Sequence, residues 1–333
     1  MAVSAVGLQT HIWNNNVKSV LLLLGFPLLL LLLTWLMVFG HLYVFQWNQT
    51  EQLPPAVPAM LTSIETSLHF LPWVLGVALV WFGISWLFHQ RMINRATGAR
   101  AISRRDYPKI YNMLENLCIS RGLPMPRFFL IDSTALNAYA SGIDEKSYAI
   151  TLTRGIIDTL DDDELEAVIA HELTHIINRD VRLLIISVIF VGMISFLAEM
   201  AWRGMIYSRY RGRRNSWGTL IAGIVLGIGY LFAILLRFAL SRKREFLADA
   251  GAVELTKNPD AMANALRKIA GKALMKNVPD EVRQMCIENP PGFFSLFATH
   301  PPIEERIAVL EHYAGARKVA YEPTQHGPWG PKR

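Results

Sequence analysis

A chain of 333 residues with a mean hydropathy of +0.26 and only 18% charged residues is too apolar for an ordinary soluble protein, in which about a quarter of residues are charged. The formal charge of +6 does not argue for nucleic acid, because the basic residues gather beside apolar segments, as orientation in a bilayer requires. The two cysteines, Cys118 and Cys286, have no C-x-x-C spacing and build neither a disulfide framework nor a thiolate zinc site.

Residues 1–17 read as a polar amino-terminal extension ending at Lys18. A leucine-rich run from Val20 to Phe39 follows, and a hydrocarbon core needs about 20 apolar residues. No small-residue cleavage site comes after it, so the run predicts an uncleaved first span. Residues 45–67 hold Pro54, Pro55 and Pro58 and no Lys or Arg, which predicts an outer loop. Phe70–Phe88 is the second span. Arg91, Arg95, Arg100, Arg104, Arg105 and Lys109 follow it, and the positive-inside rule places this side in the cytoplasm. Residues 18–89 are thus expected to form two transmembrane helices with an outer loop.

From Tyr107 the pattern turns globular. Asp106-Tyr107-Pro108 predicts a capped helix running to about Ser120 and stopped by Gly122 and Pro124. Arg127–Ile131, Asn137–Ser141 and Ser147–Leu152 are β-prone runs that predict a small β-meander. Next, the run from Asp161 to Ala170 leads into His171-Glu172-Leu173-Thr174-His175 as one helix. Asp161 to Asp163 suit its N-terminus better than a metal site. Residues four apart share a helix face, so His171 and His175 can offer two imidazoles to one ion. Glu172 can reach a water on that ion. This is the H-E-x-x-H arrangement of zinc peptidases, in which the metal lowers the pKa of water and the glutamate takes its proton. Two surface histidines by chance are the alternative, so a third ligand is needed.

A third apolar segment, Leu183–Trp202, begins eight residues after His175, about 12 Å along a helix. The metal is therefore expected close to the membrane surface. Arg203, Arg209, Arg211, Arg213 and Arg214 follow, and then a fourth apolar segment, Thr219–Leu240. Beyond it, Glu245 and Asp249 are four apart on an expected helix. One suits a zinc ligand, and the other can hold a ligand histidine through its second ring nitrogen. A set of two His and one Glu leaves a coordination position open, as catalysis requires. A third histidine six residues after His175 is excluded, because that position is Val181. The alternative for Glu245 and Asp249 is an exposed face pairing with Arg242 or Arg244.

H-E-L-T-H-I-I-N-R-D at residues 171–180, followed after two apolar segments by R-E-F-L-A-D at residues 244–249, resembles the HtpX-type membrane zinc metalloproteases, relatives of the CAAX prenyl proteases. The resemblance covers most of the chain, including N-A-Y-A-S-G at 137–142 and T-H-P-P-I-E-E-R at 299–306. It implies a mainly α integral membrane protein with four transmembrane helices and a cytoplasmic α+β gluzincin-type protease domain. It also implies one Zn2+ per chain on His171, His175 and Glu245, Glu172 as general base, and Asp249 behind a ligand histidine. Asn137, Ala138, Tyr139, Ala140 and Ser141 would form an edge strand that pairs with an extended substrate. His300 and Arg306 match positions near the scissile carbonyl, where a donor could stabilise the oxyanion. For His300 a capping role before the expected helix Ile303–Tyr313 is equally open.

One ion joins His175 to Glu245, so the chain between them crosses the membrane twice or not at all. Trp202 and Trp217 flank the arginine-rich loop as interface anchors and favour two crossings. The protease domain is expected in residues 90–181 and 241–316, the second pair of spans in 182–240, and a flexible tail in 317–333. No G-x-x-x-x-G-K-[ST] motif occurs, so no nucleotide is an expected partner, and the placement of the basic residues beside apolar segments leaves nucleic acid an unexpected one. The expected function is a multi-pass endopeptidase of the bacterial plasma membrane that cuts misfolded or flexible segments of membrane proteins. CAAX-type processing of prenylated proteins and a silent zinc-containing scaffold are the alternatives. Glu172, which a scaffold would not need, argues against the second.

Overall fold

Helix α1, Leu8–Thr50, contains the leucine-rich run, and α2, Ala56–Thr97, contains the second one. The structure is a computed structural model and describes residues 8–50, 55–210, 223, 227, 229, 243–273, 275, 285–287 and 301–317. Among the described residues, Ile12–Leu42 and Val57–Thr97 are long and apolar enough to cross a membrane. Both helices outrun the expected spans. The polar extension is helical from Leu8, and the expected outer loop at 45–67 is helical up to Thr50 and again from Ala56. Proline suggested a loop there, but Pro58 lies in the first turn of α2, where backbone N–H groups have no intrahelical partner to lose.

The described residues fall into two units, one within 1–15, 89–185 and 240–333 and the other within 16–88 and 186–239. In the second, Phe26 stacks on Phe190 with ring centroids 4.1 Å apart. The Trp81 indole N–H donates to the Ile189 carbonyl, and that of Trp35 donates to Ser63 Oγ, so the polar tips of both rings are satisfied in an apolar setting. The third apolar segment lies in α6, Asp180–Tyr210. Most of the fourth falls outside the described residues, as does the tail after Arg317.

The first unit is built on a four-stranded sheet of β1, Arg100–Ala101; β2, Arg127–Ile131; β3, Ala138–Ser141; and β4, Ala149–Thr153. Its order is β1-β2-β4-β3, with β2 and β4 parallel and the other two pairings antiparallel. The expected meander is therefore corrected. A meander would leave β4 at an edge, but β4 pairs with β2 on one side and β3 on the other. That leaves β3 at an edge.

Helix α3, Pro108–Arg121, ends at Gly122, whose left-handed backbone (φ 64°) lets its N–H close on the last turn. Its N-cap is Tyr107 rather than Asp106, which accepts from Ser103 Oγ at 2.6 Å instead. After the short α4, Arg154–Thr159, comes α5, Asp162–Ile177. A capping box starts α5: Asp161 accepts from the Glu164 N–H, and the Glu164 side chain accepts from the Asp161 N–H, both at 3.0 Å. Such caps contribute about 1 kcal/mol. Leu165, Val168, Ile169 and Leu173 bury the apolar face of α5. Helix α7, Lys243–Thr256, packs on α5 with α8, Pro259–Ile269, and α9, Ile303–Tyr313, packs on α7 and α8. The α5–α7 approach depends on Gly251, where a Cβ would lie 2.3 Å from Thr174 Cγ2.

Candidate metal centre

His171 and His175 leave α5 one turn apart, and Glu245 enters from the first turn of α7. The two Nε2 atoms are 3.2 Å apart, and Glu245 places one oxygen 3.7 Å from His171 Nε2 and the other 3.8 Å from His175 Nε2. Ligand atoms of a tetrahedral site with bonds near 2.0–2.1 Å stand about 3.3 Å apart. The three residues can therefore hold one metal ion.

Carboxylates back both rings. Asp249 Oδ1 lies 2.9 Å from His171 Nδ1, and Asp180 Oδ2 lies 3.2 Å from His175 Nδ1. Each selects the tautomer with its proton on Nδ1, which leaves the Nε2 lone pair free for a cation. Two such lone pairs and a carboxylate facing one another in a buried space are mutually repulsive unless a positive charge joins them. The pKa of His171 reflects this. Burial opposes its charged form, yet Asp249 and Glu245 prevail and hold it up at about 9. Burial also pushes Asp249 up, but Arg306 and His171 outweigh it and keep the carboxyl low.

Glu172 is buried beside the two histidines. Neither of its oxygens has a hydrogen-bond partner among the described residues. Burial raises its pKa, against the pull of His171 and His175. The Ala140 backbone lies next to the carboxylate without closing a hydrogen bond. Ala140, Glu172, His175, Glu245 and Arg244 border a cavity of about 20 Å³, and about 10–15 Å³ suffices for one water. A lone buried carboxylate facing room for a water is an arrangement suited to moving a proton.

The remaining expected residues divide. Of Asn137 to Ser141, only Ala140 borders the cavity. The Asn137 amide donates to the Ala273 carbonyl at 2.8 Å, and its Oδ1 accepts from the Ala138 and Ile287 N–H groups. Tyr139 OH meets Thr97 Oγ1 at 3.1 Å, and Ser141 Oγ donates to Gln90 Oε1 at 2.9 Å. Both side chains thus turn to the end of α2. Arg306 is buried, and three of its five N–H bonds are engaged: Nε and Nη2 donate to the two oxygens of Asp249 at 2.8 and 2.6 Å, and Nη1 donates to the Ile287 carbonyl at 3.0 Å. Nη1 also lies 3.8 Å from Glu245 Oε2, so the guanidinium braces Asp249 beside the candidate ligand set. His300 lies outside the described residues. Sequence reasoning missed Asp180, whose signal is its place five residues after His175, and it missed Arg244 as a cavity residue.

Residues 105–314 match the model of peptidase family M48. A Protease HtpX homolog of Bacteroides fragilis is 48% identical over 323 residues, covering 92% of this chain and 99% of that one. One of Tropheryma whipplei is 37% identical over 249 residues, 73% of this chain and 86% of its own. Among solved structures, that of S. mikatae Ste24p is similar over 73% of this chain and 59% of that one, with 18% identity and a TM-score of 0.45. The family match spans the helices that bring the two histidines and Glu245 together, and two apolar helices precede it. The chain belongs to peptidase family M48 and is a membrane metalloprotease.

Proposed function

We propose that this protein is a zinc-dependent endopeptidase of a bacterial inner membrane that cuts flexible or misfolded segments of membrane proteins. The observation that carries the reading is the convergence of two imidazole Nε2 atoms and a carboxylate beside Glu172. The chemistry a zinc ion supplies when held by His171, His175 and Glu245 is Lewis acidity toward a water and the scissile carbonyl, with one coordination position left open. Glu172 takes the proton from the attacking water on a carboxylate oxygen and passes it to the leaving amine. Its raised pKa brings it toward the range in which a general base works. Asp249 and Asp180 fix the two imidazoles, and Arg306 fixes Asp249. His300 remains the candidate donor to the carbonyl oxygen.

The substrate class follows from the strand edge and from the chain's tether. Ala138 already gives its carbonyl to the Ile287 N–H at 3.0 Å, so an extended substrate would add to β3 from Ala140 onward. Strand addition needs an unfolded stretch, and only seven residues separate His175 from the apolar Leu183, which keeps the cut near the bilayer. We place the protease unit in the cytoplasm, on the basic side of the second span, with the third and fourth apolar segments both crossing. A cysteine introduced as Ser208→Cys should then label from outside; labelling from the cytoplasm contradicts four spans. Removing metal from the purified full chain with a chelator should stop cleavage of an unfolded polypeptide, and one equivalent of zinc should restore it. Cleavage that persists in the metal-free protein refutes the zinc reading.

A further inference from the structure

The amino-terminal end of α1 carries an asparagine, Asn15, buried in the same unit as the metal centre and far in sequence from the residues that form it. Asn15 Nδ2 donates to Asp180 Oδ1 at 2.7 Å and to the Asn178 carbonyl at 3.0 Å. The other oxygen of Asp180 faces His175 Nδ1 at 3.2 Å. The amide therefore lies in a chain that runs Asn15, Asp180, His175.

The backbone that Asn15 bridges is an unusual one. Between α5 and α6 the chain turns through Asn178 and Arg179, and Arg179 has φ 58°, a left-handed conformation that side chains other than glycine disfavour. That turn swings Asp180 back toward the ring of His175. Relaxing it would move the carboxylate away and free the imidazole to rotate. A single amide that holds both the carbonyl before the strained residue and the carboxylate after it opposes that relaxation. A primary amide suits both contacts, since its two N–H bonds diverge toward two acceptors.

From this we infer that Asn15 is a positioning residue for the metal centre: it locks the α5–α6 turn and, through Asp180, orients the ligand ring of His175. The assignment rests on the reading of His171, His175 and Glu245 as zinc ligands. It also gives the amino-terminal end of α1, outside the matched family region, a share in metal retention.

The test is a double-mutant cycle on zinc affinity, measured on the purified full chain by competition with a chromophoric chelator and checked by the visible spectrum of the cobalt-substituted protein. Asn15→Leu keeps the volume and removes both donors; Asn15→Asp keeps the shape and sets a carboxylate against Asp180. Each should loosen zinc by about tenfold, within the range of partners that orient metal ligands, and each should alter the cobalt spectrum. In an Asp180→Ala background, Asn15→Leu should produce no further loss of affinity, because the route through Asp180 is gone. Unchanged affinity in both Asn15 variants, or losses that add in the double variant, would overturn the proposal. Full zinc binding by His175→Ala would overturn the metal-site reading beneath it.

Discussion

Asp249 Oδ1 lies 2.9 Å from His171 Nδ1, while both oxygens of Asp249 accept from Arg306. The carboxylate thus orients a ring and is itself held by a buried cation. Asp249→Asn should weaken metal binding by about 10–100-fold, the usual effect of losing a partner that orients a ligand histidine. Arg306→Met would strand Asp249 as a buried unpaired charge, at a cost of about 3–5 kcal/mol. Chemical denaturation of the two variants separates the roles. A fully stable Arg306→Met that lost only kcat would point to the scissile carbonyl instead.

Gly251 sets the distance between the two helices that carry His171, His175 and Glu245. A methyl there would meet Thr174 Cγ2 at 2.3 Å and Oγ1 at 2.7 Å. Thr174 is buried and β-branched, and its hydroxyl donates to the Ala170 carbonyl, so it has little room to turn. Gly251→Ala should therefore lower stability by about 1–3 kcal/mol and loosen the metal by parting α5 from α7. Thermal unfolding and metal content measure the two effects. A variant as stable as the parent would show that the helices do not depend on this close approach.

The edge strand is anchored from the side away from the cavity. Tyr139 and Ser141 are buried and joined to Thr97 and Gln90 of α2. Removing one partner leaves the other buried and unsatisfied, at about 1–3 kcal/mol. Gln90→Leu with Thr97→Val should loosen β3, raising KM for an unfolded polypeptide more than it lowers kcat. Steady-state cleavage tests this, and an unchanged KM would detach the strand's anchoring from substrate binding.

Cys118 is buried on α3, and burial alone pushes its thiol up to about 11. At pH 8 about one thousandth is thiolate, the form that reacts. Alkylation of the folded chain should be very slow at pH 8 and speed up about tenfold per pH unit until the thiol titrates. Rapid modification of Cys118 at pH 8, read by mass spectrometry, would contradict the buried, unreactive state.

Local signals were the legible ones. The H-E-x-x-H spacing and the acidic cluster Asp161 to Asp163 each act within one helical turn, and the helix they announce forms as expected. The order of the strands was not legible, since short apolar runs state burial without naming a neighbour, and β4 lies between β2 and β3. Asp180 sat inside the motif run unassigned, because only the left-handed turn at Arg179 returns it to His175. Asn15, Gln90 and Thr97 gave no signal at all. Each is a polar residue near an apolar helix, and its partner lies tens of residues or more away in the chain.

Glu172 carries the central claim. Glu172→Gln in the purified full chain keeps the shape and the metal ligands while removing the base. The measurement is cleavage of an unfolded polypeptide, with bound zinc quantified in the same samples. We predict an unchanged zinc content and a rate lowered by about 10²–10⁴-fold, the contribution typical of general acid–base catalysis. Cleavage at the parental rate with zinc bound would contradict the account.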